Sequence, residues 1–139
     1  MLTEYQRDVR VLVVDDHAYL RSVMGELVAA TPGFALAGEV TCGEEALAVT
    51  PELSPDLVLM DIRMPGAGGL ATARLMAERH PHVVILLVSA FDREDVDADG
   101  LSEMAVSFAP KRELRASVLR EVWERATEAR NGVSPALSG

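Results

Sequence analysis

The sequence predicts an α/β domain built on a doubly wound parallel sheet, and three observations carry that reading. Apolar runs and helically spaced segments alternate five times along the chain. The strongest runs, at 9–14, 57–60 and 83–88, are apolar with almost no alternation, which marks strands covered on both faces. The length, 139 residues, suits one domain with a substantial core. Right-handed crossovers then set helices on both sides of a single five-stranded sheet.

Each element has its own signal. Val9–Val14 (VRVLVV) is the first strand and ends at Asp15. Leu20, Val23, Met24, Leu27 and Val28 recur at helical spacing, and Thr31-Pro32-Gly33 stops that helix. Phe34–Val40 alternates weakly, as an edge strand does. Gly43–Val49 is a short helix that Pro51 is expected to break. Leu57–Met60 ends at Asp61, a Gly/Pro loop follows at Pro65–Gly69, and Leu70–His80 is helical. Val83–Val88 is the most hydrophobic run. Asp92–Gly100 reads as an acidic, weakly helical fourth segment, because Asp is a poor helix former. Ala105–Ala109 is the fifth strand. Leu114, Val118, Leu119, Val122 and Ala126 mark a long last helix, stopped at Asn131-Gly132. The domain is expected over 6–130, with 131–139 a flexible tail or truncated linker.

Composition excludes several classes of partner. Thirteen Lys and Arg stand against 22 Asp and Glu, a formal charge of −9. That balance disfavours a nucleic-acid surface and docking on anionic lipid. One cysteine makes neither an internal disulfide nor a thiolate metal site. Met1–Arg10 has no apolar signal core, and no run reaches transmembrane length. A soluble, reducing, cytoplasmic setting is the expectation.

In open α/β sheets the ligand site lies beyond the carboxyl ends of the strands. The residues that end the runs are Asp15 and Asp16, Asp61, Ser89 and, after Phe108-Ala109-Pro110, Lys111. Singly, each has an ordinary reading: a helix cap, a turn residue or a solvated lysine. Jointly, three carboxylates repel and need a compensating cation. Oxygen donors suit Mg²⁺ or a similar ion. A lysine and a hydroxyl aimed at the same place suit a phosphoryl group, and an aspartate can accept it as an acyl phosphate.

VLVVDDH at 11–17, LVLMDIRMPG at 57–66, Ser89-Ala90 and Lys111 closely resemble the receiver domains of bacterial two-component response regulators. The wording DDH with DIRMPG most resembles receivers of the nitrate-responsive type, whose output domain is a helix-turn-helix. The resemblance covers about residues 8–130. It implies a flavodoxin-like strand order 2-1-3-4-5. It also implies phosphorylation of Asp61, metal binding by Asp15, Asp16, Asp61 and the Arg63 backbone carbonyl, and phosphate contact by Lys111. Ser89 and Phe108 match the switch pair, with Phe108 turning inward once Ser89 has moved toward the phosphoryl group. The implied function is a signalling switch that a sensor histidine kinase phosphorylates with Mg²⁺. The phosphorylated form would change partners, or form a homodimer, through the face of the fourth helical segment, the fifth strand and the last helix. Such a domain is not a metabolic enzyme, since it catalyses only its own phosphorylation and dephosphorylation. Three features depart from the pattern: Ser102-Glu103-Met104-Ala105 where glycines are usual, Pro110 before Lys111 rather than after it, and Pro51.

Two other classes compete. An aspartate-nucleophile phosphohydrolase uses Asp-x-Asp after the first strand, but here Asp15-Asp16-His17 has no carboxylate at the third position. A flavin- or nucleotide-binding protein uses a Gly- or Ser/Thr-rich loop there, where this chain is acidic. Four further features read as structural. Asp95–Gly100 imitates a calcium loop, but Val106 stands at the twelfth position, where a glutamate is needed. His17 reads as a helix-start residue and Cys42 as a small filler before the second helix. Leu119 and Trp123 share one helix face, either core or partner surface.

Overall fold

The computed structural model describes residues 7–66, 68–90 and 106–130. Among these described residues lie five strands and four helices: β1 (Val9–Val14), α1 (Ala18–Ala30), β2 (Phe34–Val40), α2 (Gly43–Leu53), β3 (Leu57–Asp61), α3 (Gly68–Arg79), β4 (Val84–Ser89), β5 (Ser107–Pro110) and the C-terminal helix α4 (Ala116–Arg130). A 3₁₀ turn, Lys111–Glu113, joins β5 to α4. The strands are parallel, in the order β2-β1-β3-β4-β5. This is the order the family resemblance implies. The acidic segment at 92–100, the calcium-like stretch before Val106, the glycine-free Ser102–Ala105 and the tail at 131–139 lie outside the described residues.

Strand pleating explains the two cores. Leu12, Val14, Val58, Met60, Ile85 and Leu87 face α2 and α3, where Ala46, Ala73 and Met76 cover them. The intervening Val11, Val13, Leu57, Leu59, Val84 and Leu86 face α1 and α4, under Met24, Val28 and Leu119. Every residue of β3 and of β4 is buried. Each such leucine contributes about 1.5–3 kcal/mol relative to exposure. Leu119 is fully buried and so belongs to the core, while Trp123 is half-buried against the same cluster.

Helix α2 does not end at the proline. It runs through Pro51 to Leu53. The Ser54 N–H donates to the Thr50 carbonyl at 2.9 Å, so the helix is closed beyond the proline. Inside it, the Thr50 hydroxyl donates to the Ala46 carbonyl at 2.7 Å. Ser54, at φ 48°, then takes the left-handed turn that ends the helix. Strand β5 is likewise shifted to Ser107–Pro110, with Pro110 paired to Ser89 at the sheet edge, where a missing N–H costs little. Leu114 precedes α4 instead of opening it.

Candidate functional site

Parallel strands end at one rim, so the sheet itself gathers the chemistry. Asp15 and Asp16 follow β1, Asp61 ends β3, Ser89 ends β4, and Lys111 follows β5. Asp15, Asp61 and Ser89 are buried at 0%, 3% and 1% exposure.

The backbone locks the first loop over the pocket. Asp15 Oδ1 accepts from the His17 backbone N–H at 2.8 Å, and the Arg21 guanidinium donates to the Asp15 carbonyl at 2.8 Å. Asp15 Oδ2 accepts from Lys111 Nζ at 3.3 Å, and the same ammonium lies 3.6 Å from Asp61 Oδ2. The Arg63 backbone N–H donates to Asp61 Oδ1 at 3.3 Å, which keeps residue 63 beside the pocket. Lys111 thus bridges carboxylates from two strands, although it stands 96 residues from Asp15 in the chain.

One ammonium against three carboxylates leaves the pocket strongly anionic. Burial holds the Asp61 carboxyl above its ordinary value, and the charges of Asp15 and Asp16 push the same way. Lys111 and the Arg63 N–H oppose that rise. Asp16 Oδ1 is buried without a hydrogen bond. Ligand atoms of Asp15, Asp16, His17 and Asp61 all lie within 4.8 Å of one another. An orphaned carboxylate oxygen in an oxygen-rich, undercompensated cluster fits a hard divalent cation.

Ser89 and Phe108 sit on neighbouring strands, with Phe108 paired to Leu87. Phe108 is only 7% exposed and packs into the core on the α2 and α3 face. The inward turn expected of this ring belongs to the phosphorylated state; here the ring is buried on the face it shares with its register partner Leu87.

Two contributors were not singled out from the sequence. Gly69, in the first turn of α3, sits against the end of β3, and its N–H donates to the Ile62 carbonyl at 3.0 Å. A Cβ there would collide with the Asp61 carbonyl oxygen and the Ile62 Cα. The Gly66-x-Gly68-Gly69 spacing held that signal, since Gly66 and Gly68 adopt φ of 78° and 77°. The other is the His17 side chain, which stands at the helix start as expected but also reaches the pocket. Its Nδ1 lies 3.3 Å from Asp15 Oδ1 and 3.4 Å from Asp16 Oδ1.

Residues 11–122 match the family model described as "Response regulator receiver domain". The chain belongs to the response regulator receiver domain family. It is similar to "Response regulator GacA" of Pseudomonas viridiflava, at 36% identity over 103 residues, covering 74% of this chain and 48% of that protein. The "Protein-glutamate methylesterase/protein-glutamine glutaminase" of Pyrococcus horikoshii is 32% identical over 131 residues, 86% of this chain and 35% of that one. The receiver domain thus spans half or less of these curated relatives. Among solved structures, the signal receiver domain of the putative response regulator NarL from Mycobacterium tuberculosis superposes with a TM-score of 0.77. It is 29% identical and covers 88% of this chain and 98% of that one. The response regulator domain of Thermotoga maritima CheB gives 0.70 at 30% identity, covering 93% and 100%. Among the described residues no helix is long and apolar enough to cross a membrane.

Proposed function

We propose that this receiver domain is switched by phosphorylation of Asp61, with a sensor histidine kinase as donor. The observation that carries the reading is the Lys111 ammonium between Asp15 and Asp61, at 3.3 and 3.6 Å, in a pocket still short of positive charge. Asp61 Oδ attacks the phosphorus of the kinase's phosphohistidine. The new P–O bond forms as the P–N bond breaks, and the imidazole leaves with a proton. Lys111 contacts the phosphoryl oxygens, where a charge-assisted bond is strongest. Asp15, Asp16, Asp61 and the Arg63 carbonyl would hold Mg²⁺. The bound ion supplies neutralisation of the phosphoryl charge.

The Ser89 hydroxyl then bonds the phosphoryl group, and its movement biases an existing equilibrium. Phe108, buried one strand over, is the aromatic partner of that movement. Output passes through the face of β5 and α4 to a partner protein or a second copy. The domain spans 6–130, works in the cytoplasm, and is no enzyme beyond its own phosphorylation and dephosphorylation. The methylesterase activity in one relative's name is that protein's own, and the shared segment is 35% of its length. A phosphohydrolase reading gains no support, because His17 stands where its second carboxylate belongs.

Acetyl phosphate with Mg²⁺ tests the assignment. Intact mass rises by one phosphoryl unit in the wild type and stays unchanged in Asp61→Asn. Equal labelling of both chains overturns it.

A further inference from the structure

Among the described residues that cluster at the pocket, phosphoryl transfer leaves His17 without a task. It occupies the N-cap of α1 with extended backbone, φ −89° and ψ 116°, yet its side chain makes no capping bond. Ser, Thr, Asp or Asn would serve that position better. The ring instead turns back over the acidic pair, with Nδ1 at 3.3 Å from Asp15 Oδ1 and 3.4 Å from Asp16 Oδ1. The second of those oxygens is the buried one without a hydrogen bond. The imidazole is 63% exposed, so an ion arriving from solvent reaches it first.

We infer that His17 is a nitrogen ligand of this pocket, so that the site takes Zn²⁺ or a similar borderline ion far more tightly than Mg²⁺. The inference rests on the reading of Asp15, Asp16 and Asp61 as the metal-binding carboxylates. Carboxylates alone suit Mg²⁺, whereas imidazole with carboxylate suits Zn²⁺, Ni²⁺ and Cu²⁺. The spacing agrees: donors about 2.0–2.1 Å from a tetrahedral zinc lie about 3.3–3.4 Å from each other. Coordination through Nδ1 uses the tautomer with its proton on Nε2, so the ion replaces the hydrogen bond that Nδ1 makes to Asp15 Oδ1 at 3.3 Å. The backbone bond from the His17 N–H to Asp15 Oδ1, at 2.8 Å, fixes the ring's root beside one of its co-ligands. Because both ions use the same carboxylates, zinc excludes Mg²⁺ and with it the phosphorylation that Mg²⁺ supports. The pocket would then report the balance of two metals as well as a kinase.

The test is calorimetric titration of the metal-free chain with Zn²⁺ and, separately, Mg²⁺, comparing wild type with His17→Gln. His80 and His82 pack edge to face with ring centroids 6.2 Å apart and are themselves a zinc trap. They stand before β4, at the opposite rim of the sheet, so both chains carry His80→Gln and His82→Gln. Outer-sphere partners alone change metal affinity about 10–100-fold, so losing a ligand should lower the Zn²⁺-to-Mg²⁺ affinity ratio at least about tenfold. In the wild type, Co²⁺ should give a visible band that His17→Gln loses. A ratio and a cobalt spectrum unchanged by His17→Gln overturn the inference. Asp16→Ala separates this failure from that of the underlying reading. If Mg²⁺ binding survives that substitution, the carboxylate pocket is not the metal site at all.

Discussion

Asp61 sits where the fold least favours its charge. It is 3% exposed, beside two other carboxylates, with Lys111 as the compensating ammonium. Its carboxyl is held high, mainly by burial, so the folded state binds that proton more tightly than the unfolded chain does. The linkage sign follows: Asp61 favours the fold at low pH and opposes it as pH rises through its titration. At neutral pH, Asp61→Asn should stabilise the metal-free domain by about 1 kcal/mol, or about 3–5 °C in Tm. Thermal unfolding in chelator checks this, and a lower Tm for the variant would contradict it. Gly69 makes a second demand at the same place. Gly69→Ala forces backbone apart at Asp61 and should cost about 1–3 kcal/mol while weakening Mg²⁺ binding. Gly68→Ala is the contrast: it is strained by its φ of 77°, but a Cβ there meets only the Ile62 carbonyl, at 4.0 Å. Its destabilisation should leave Mg²⁺ affinity in place, as parallel calorimetry of the two variants would show.

Among the elements, α2 shows how a helix start is secured without a conventional cap. Cys42 makes no capping bond at its N-cap. Instead Glu45 reaches back to the Thr41 backbone N–H at 2.7 Å and the Thr41 hydroxyl at 2.8 Å. Those bonds hold the Glu45 carboxyl below its ordinary value, the backbone bond first. Its contribution is therefore present at neutral pH and lost as pH falls below about 4. Glu45→Ala should lower Tm at pH 7 and converge with the wild type in acid; a gap that persisted in acid would contradict the assignment. Such detail marks the limit of what the sequence makes legible. Apolar runs located β1, β3 and β4 because strands buried on both faces leave little else to read. The residues after those runs located the pocket, because parallel strands must end together. Pro51 misled, since a proline in a last turn removes only one bond and Ser54 supplies the real stop. His17 does stand at a helix start, as its place in the sequence indicates, but a side chain that turns back toward the acidic pair leaves no periodic trace.

At the scale of the whole molecule, the pocket and the fold share one free energy. The carboxylates that gather at the rim come from strands 46 residues apart, Asp15 and Asp61, and exist as a cluster only when β1 and β3 pair. The unfolded chain therefore offers no equivalent site, and any ion bound there stabilises the native state by mass action. With Mg²⁺ at tenfold its dissociation constant the gain is about 1.4 kcal/mol, and at a hundredfold about 2.7 kcal/mol. A second effect must be separated from this one. The chain carries a formal charge of −9, so any salt screens self-repulsion and raises Tm somewhat. Sodium chloride at matched ionic strength is the control for that general term. The prediction is that Mg²⁺ raises Tm beyond the sodium control, that chelator reverses the rise, and that Asp16→Ala removes the excess while keeping the sodium response. Asp16 is the sharper probe of the pair, since its buried Oδ1 has no hydrogen bond to lose, whereas removing Asp15 would also release Lys111 and the His17 backbone. Equal magnesium and sodium responses in the wild type would show that the acidic rim acts only through its charge and holds no ion.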